Sequence, residues 1–134
     1  MPEPRAFDLS KTYVHLGLGA TVVPLPDFRW EEDYLSGYEA AHEADGDDGR
    51  LVIMSDLARD WTVWECHPAG EELVVVLDGR STLIQEREEG EVRIPMGPGD
   101  AVVNPKGVWH TADVEQPGRA LYVTSGRGTQ HRAR

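Results

Sequence analysis

Turn-forming sequences recur through the second half of this chain at intervals too short for a helical protein. They fall at Pro68-Ala69-Gly70, Asp78-Gly79, Glu89-Gly90, Gly97-Pro98-Gly99-Asp100, Pro105-Lys106-Gly107, Gln116-Pro117-Gly118 and Ser125-Gly126. Between them lie short β-prone runs at residues 61–67, 72–77, 81–85, 101–104, 108–114 and 120–124. Short strands at such spacing predict an antiparallel sandwich or barrel rather than βαβ units. The load of 14 Gly and 9 Pro disfavours a helix bundle, because each is costly inside a helix. Asp78-Gly79 predicts a two-residue hairpin turn, since both residue types tolerate positive φ.

The first half reads differently. Residues 12–15 and 20–23 predict strands added to the edge of the same sheet. Residues 27–44 predict one short helix, with Asp27 as its cap and Trp30, Tyr34, Tyr38 and Ala41 on one face. Residues 31–48 hold eight acids and no Lys or Arg. That composition fits a solvated helix and loop, with a lid over a pocket or an arm on a second subunit as alternatives. The 134 residues form one domain, an arm over 1–50 and a barrel over 51–134.

A net charge of −11 repels phosphate backbones and anionic membranes, which excludes nucleic-acid binding as a primary role. Residues 12–26 are too short and too broken to span a bilayer. The opening residues 1–11 are charged without an apolar run, so the expected location is the cytoplasm. One cysteine, Cys66, excludes an internal disulfide and a thiolate cluster. It lies between Glu65 and His67 on a predicted strand, where alternation turns it away from both and makes it a packing residue. Asp45-Gly46-Asp47-Asp48 lacks the glycine and ligand positions of a calcium loop. Gly17-Leu18-Gly19 lacks the third glycine of a dinucleotide loop, and Ser125 lacks the preceding glycine of a nucleophile elbow.

Two segments carry chemistry. In Trp64-Glu65-Cys66-His67-Pro68-Ala69-Gly70-Glu71-Glu72, strand alternation puts Glu65 and His67 on one face, close enough to hold one ion. The turn at Pro68-Ala69-Gly70 returns the chain, and Glu72 opens the next strand toward the same spot. In Gly99-Asp100-Ala101-Val102-Val103-Asn104-Pro105-Lys106-Gly107-Val108-Trp109-His110, the turn throws His110 onto a strand whose other inward residues are Val108, Ala112 and Val114. An imidazole in such an interior needs a metal or a carboxylate such as Glu65 or Glu72.

These segments resemble the two motifs of the cupin superfamily, small jelly-roll barrels. The first motif runs G-x5-H-x-H-x3-4-E-x6-G, and Glu65-x-His67-x4-Glu72-x6-Gly79 matches its second His, its Glu and its final Gly. The second runs G-x5-P-x-G-x2-H-x3-N, matched by Gly99, Pro105, Gly107 and His110. The resemblance covers residues 60–126, and extends to small single-domain cupins with Trp64-Glu65-x-His67-Pro68 and a closing Gly128-Thr129-x-His131. Glu65 stands where the family has its first His, Arg59 at the leading Gly, and Val114 at the final Asn.

The resemblance implies an all-β jelly-roll barrel, a double-stranded β-helix, whose metal ligands are Glu65, His67, Glu72 and His110. Glu71 competes with Glu72 for the inward position, and only the spacing to Gly79 favours Glu72. Mixed nitrogen and oxygen ligands suit Zn²⁺, Mn²⁺, Fe²⁺ or Ni²⁺ rather than Ca²⁺ or Mg²⁺. Alternation lines the pocket with Trp61, Val63, Val74, Val76, Val108, Ala112 and Val114. His15 and His131 are each alone in sequence and suit a surface or an interface. Trp64, Cys66 and Trp109 alternate outward yet are apolar, which predicts a homodimer covering them.

Two functions fit. One is a metal-dependent enzyme performing isomerase, lyase or oxygenase chemistry on a small polar molecule. The other is a non-catalytic small-ligand binding or sensor protein without metal. An enzyme needs an acid–base group beside the metal that is not a ligand, for which Tyr13, His15, Tyr122 and His131 are the candidates.

Overall fold

Two long strands build the frame of the computed structural model, which describes residues 5–134. In chain order the strands are β1 (Tyr13–Gly17), β2 (Thr21–Leu25), β3 (Arg50–Leu57), β4 (Val63–Cys66), β5 (Glu72–Arg87), β6 (Gly90–Met96), β7 (Ala101–Asn104), β8 (His110–Thr124) and β9 (Gln130–Ala133). One α-helix, α1 (Glu32–Ala41), lies among the described residues between β2 and β3. It is followed by a 3₁₀ stretch at Glu43–Asp48. The helix starts at Glu32, with Glu31 rather than Asp27 at its N-cap and no side-chain cap bond.

β5 and β8 run antiparallel along their whole lengths and each serves two sheets. Their outer halves join β7, β3, β1 and β2 in the order β7-β5-β8-β3-β1-β2. Their other halves join β6, β4 and β9 in the order β6-β5-β8-β4-β9. The two sheets face each other as a jelly-roll barrel.

This corrects the reading of Asp78-Gly79 and Gln116-Pro117-Gly118 as turns. Both lie inside continuous strands, at the register shifts where β5 and β8 bend together from one sheet into the other. Gly79 has φ +79°, and a Cβ there would stand 2.5 Å from the Gln116 carbonyl oxygen. A Cβ on Gly118 would stand 2.0 Å from the Asp78 carbonyl oxygen. The glycines let two backbones cross at the bend, which is why they read as turn signals.

Three strands left no sequence signal. β3 is apolar on successive residues and so lacks alternation. β6 is an edge strand with exposed charges and Pro95, tolerated because an edge residue need not donate. β9 is exposed throughout and, Ala133 apart, polar, and it is held by pairing with β4.

The core sits at one end of the barrel, where Val76, Leu83, Met96 and Ala112 pack with Trp61, Ile94 and Val102. The outward side of β4 and of the residue before β8 is partly covered within the chain, with Trp64 and Trp109 half-buried. Arg132 of β9 lies over the rings of Trp64 and Trp109, at 5.4 and 4.6 Å from their centroids. Cys66 is buried. No helix among the described residues is long and apolar enough to cross a membrane.

Candidate metal centre

Four side chains meet between the sheets. Glu65 leaves β4, opposite His110 at the start of β8. Glu72 opens β5 from the facing sheet, and His67 hangs from the turn between β4 and β5. One ligand atom from each lies within 4.8 Å of all the others. His67, Glu72 and His110 are buried, while Glu65 is half-buried. Glu71 is exposed and turned away, so the inward carboxylate is Glu72.

The hydrogen bonds around the cluster orient it. Asn104 Nδ2 donates to Glu72 Oε1 at 2.9 Å, and Thr124 Oγ1 donates to Oε2 at 2.6 Å. His67 Nδ1 lies 2.9 Å from Thr129 Oγ1, whose own hydrogen goes to the Gly126 carbonyl. His67 must therefore be the donor. His110 Nδ1 lies 3.3 Å from the Val108 carbonyl, which can only accept. In both neutral rings the proton sits on Nδ1, and Nε2 presents a bare lone pair to the centre.

Those Nε2 atoms face carboxylates. His67 Nε2 is 2.9 Å from Glu65 Oε1 and 3.1 Å from Glu72 Oε2. His110 Nε2 is 3.7 Å from Glu65 Oε1 and 3.3 Å from Glu72 Oε1. Despite this proximity, neither nitrogen makes a geometrically sound hydrogen bond; they are the buried side-chain atoms left without one among the described residues. Lone pairs facing carboxylates at such distances need either protons on the rings or a cation between them. The donor set of two imidazoles and two carboxylates fits a first-row divalent ion.

A cavity of about 750 Å³ opens from this cluster. Trp61, Tyr122, Leu51 and Ile53 wall it from the sheets, and Phe28, Trp30, Leu35 and Tyr38 wall it from α1 and the segment before it. The acidic segment thus lies over the pocket with its aromatic face inward. Of the seven residues expected to line the pocket, Trp61 does so. Val76 and Ala112 are core residues beneath it, and Val74 is buried beside them. Val63, Val108 and Val114 are half-buried and lie off the cavity wall.

Tyr13, His15, Tyr122 and His131 all line the cavity. His131 is not isolated, since its Nε2 lies 2.9 Å from Glu65 Oε2. His15 is buried, bonded to Tyr38 and Asp45. Neither contact spans a distance that sequence spacing could reveal. Ser125 is fully buried and donates to the Asp47 carbonyl, which gives it a structural place.

The family described as Cupin domain matches residues 57–124. The chain belongs to the cupin family. Solved structures similar to this cupin include a protein from Neisseria meningitidis, 18% identical with a TM-score of 0.48, covering 55% of this chain and 71% of that one. The hydroxypropylphosphonic acid epoxidase of S. wedmorenis is 16% identical with a TM-score of 0.49, covering 56% of this chain and 43% of that one. A cupin-2 domain containing protein from Shewanella frigidimarina is 19% identical with a TM-score of 0.48, covering 56% of this chain and 69% of that one. This cupin thus spans less than half the length of the epoxidase. No curated protein matches it.

The electrostatics of this cupin follow from the cluster. Burial pushes the Glu65 carboxyl up, but contacts with His110 and His67 outweigh it and hold the group well below the usual carboxylate range. Glu72 is lowered in the same way against its burial, chiefly by His67. Burial opposes charge on His67, yet Glu65 and Glu72 prevail and raise it to about 9. Without a cation the cluster takes up protons in its place. Tyr122 is pushed up, first by burial and then by Glu72 and Glu65, which makes its hydroxyl a proton donor rather than a base.

Proposed function

We propose that this cupin holds a divalent first-row metal (Zn²⁺, Mn²⁺, Fe²⁺ or Ni²⁺) on Glu65, His67, Glu72 and His110. The observation that carries the reading is the pair of buried, unbonded Nε2 atoms aimed at two ionised carboxylates. The two negative charges offset a divalent cation and lower the cost of burying it. Thr129 and the Val108 carbonyl fix the two rings in the tautomer that a metal requires.

The ligand is a small molecule with a polar group that reaches the metal and a body that lies against aromatic walls. Such a metal supplies Lewis acidity to a bound oxygen or nitrogen. Trp61, Tyr122 and the aromatic face before and along α1 exclude water and orient the ligand. Tyr122 can donate a hydrogen bond to it, and His131, 2.9 Å from Glu65, is a titratable group beside the centre that is not a proposed ligand. A group of that kind favours an enzyme of the isomerase, lyase or oxygenase type over a passive binding protein.

Metal analysis of the purified protein tests the reading. One equivalent of a first-row divalent metal per chain is expected at this centre, and the centre loses it in His67→Ala and His110→Ala. A wild-type chain that takes up no added Zn²⁺, Mn²⁺, Fe²⁺ or Ni²⁺ overturns it in favour of a metal-free binding protein.

A further inference from the structure

A second cluster stands at the other end of the same cavity. His15 on β1, His42 after α1 and Asp45 in the 3₁₀ stretch each offer a ligand atom within 4.8 Å of the others. The Asp45 Oδ2 atom is the shared vertex, 2.7 Å from His15 Nε2 and 3.8 Å from His42 Nδ1. The His15 and His42 rings stack with centroids 3.8 Å apart. Side-chain register places the two clusters relative to each other. Glu72 pairs with Thr124, Thr124 with Leu51, and Leu51 with His15, so the two clusters share one cross-strand row. Three strand spacings separate them, roughly 14 Å.

We propose that His15, His42 and Asp45 form a second metal site, for a borderline divalent ion such as Zn²⁺ or Co²⁺. Two imidazoles and one carboxylate are a sufficient protein ligand set for such an ion, leaving a position open to water or to a ligand in the cavity. The surroundings are arranged for it. Asp45 is oriented through its other oxygen, which accepts the Leu18 amide at 3.0 Å. His15 is 3% exposed, and its Nδ1 lies 2.6 Å from the Tyr38 hydroxyl. With metal on Nε2, the His15 proton moves to Nδ1 and is donated to Tyr38, the outer partner that metal-bound histidines keep. No net proton is lost from the ring.

Two glycines make room for the cluster. A Cβ on Gly17 would stand 2.7 Å from Asp45 Oδ2, and one on Gly49 would stand 2.9 Å from His15 Cε1. Gly17 has φ −116° and Gly49 φ −67°, conformations open to any residue. Their lack of a side chain therefore serves space and not backbone shape. Burial and the neighbouring His15 lower His42 from its usual value, in keeping with a neutral ring ready to ligate. His15 and His42 line the cavity together with Glu39 and Glu43, so an ion bound here would face the same ligand as the first centre.

The test is a titration of the chelator-stripped full chain with Zn²⁺ and, by absorption, with Co²⁺. Two equivalents are expected in the wild type and one in His42→Ala, with circular dichroism checking that the variant is folded. One equivalent is expected in His110→Ala, retained at the second site, and none in the double variant. Two equivalents in His42→Ala, or a single wild-type equivalent that His110→Ala abolishes, overturn the second site and leave the first intact. A single wild-type equivalent that His42→Ala abolishes and His110→Ala leaves untouched refutes the first centre instead.

Discussion

Thr129 holds the Nδ1 of His67 at 2.9 Å from the turn before β9, 62 residues further along the chain. The hydroxyl is committed as a donor to Gly126, so the contact sets the tautomer of the ring and not only its orientation. Thr129→Val keeps the shape and removes the acceptor. Metal affinity should fall about 10–100-fold, as for other outer partners of metal-bound histidines. Competition against a chelator of known affinity measures it. Unchanged affinity would show that Thr129 does not act on the ring.

Glu71 and Glu72 are neighbours with opposite environments. Glu72→Gln puts an amide where Asn104 and Thr124 already donate, and removes a charge from the centre, so the equivalent bound at that centre should be lost. Glu71→Gln lies on the exposed side and should change stability by no more than roughly 0.5 kcal/mol, with uptake intact. Equal loss from both would mean that the strand register differs from that described.

The metal-free protein should show a stability maximum below neutral pH. The His67 value is raised, so its contribution is complete below the unfolded value near 6.5 and is lost as pH rises through about 9. The Glu65 value is lowered, so its contribution is complete above the unfolded value near 4.5 and is lost as pH falls further. Urea melts of the stripped protein should therefore give their highest midpoint between these limits, and adding Zn²⁺ should flatten the alkaline side. A midpoint that climbs steadily from pH 7 to pH 10 without metal would contradict this.

Gly118 and Gly37 should respond oppositely to alanine. Gly118→Ala drives a Cβ into the Asp78 backbone at the bend and should cost about 3 kcal/mol or more. Gly37 lies inside α1 with nothing within 4 Å of a Cβ, so Gly37→Ala should stabilise by up to about 1 kcal/mol. Thermal melts followed by circular dichroism separate the two.

Two apolar rows cross the outer face of the larger sheet. Val103, Leu73, Val123, Val52, Val14 and Pro24 form one in register, and Ala101, Val75, Leu121 and Met54 form the other. Val103 and Leu73 are exposed, and neither row contains a charge in a chain of net charge −11. Copies of this chain repel elsewhere and not here, so the face should pair with its own kind in a homodimer. Light scattering should give a dimer at micromolar concentration and a monomer for Leu73→Lys. A monomeric wild type would rule the pairing out.

What the sequence alone determined was local in character. The order of turn formers and β-prone runs set an all-β chain. The spacings Glu65-x-His67-x4-Glu72 and Gly99 to His110 named the four residues that converge, because strand alternation and one tight turn act over a few residues. The tertiary structure decided what depends on residues far apart in the chain. Gly79 and Gly118 look like turns until their strands are seen to cross at a bend, and Val76 and Ala112 keep the inward alternation of Glu72 and His110 yet pack in the core, since the cavity takes its walls from β3, β8 and α1. His15, Tyr38 and Asp45 lie 23 and 30 residues apart, and Glu65 meets His131 only because β9 folds back along β4. A lone histidine carries no sign of its partner in the sequence, since the hydrogen bond that places it forms only once the sheets have closed.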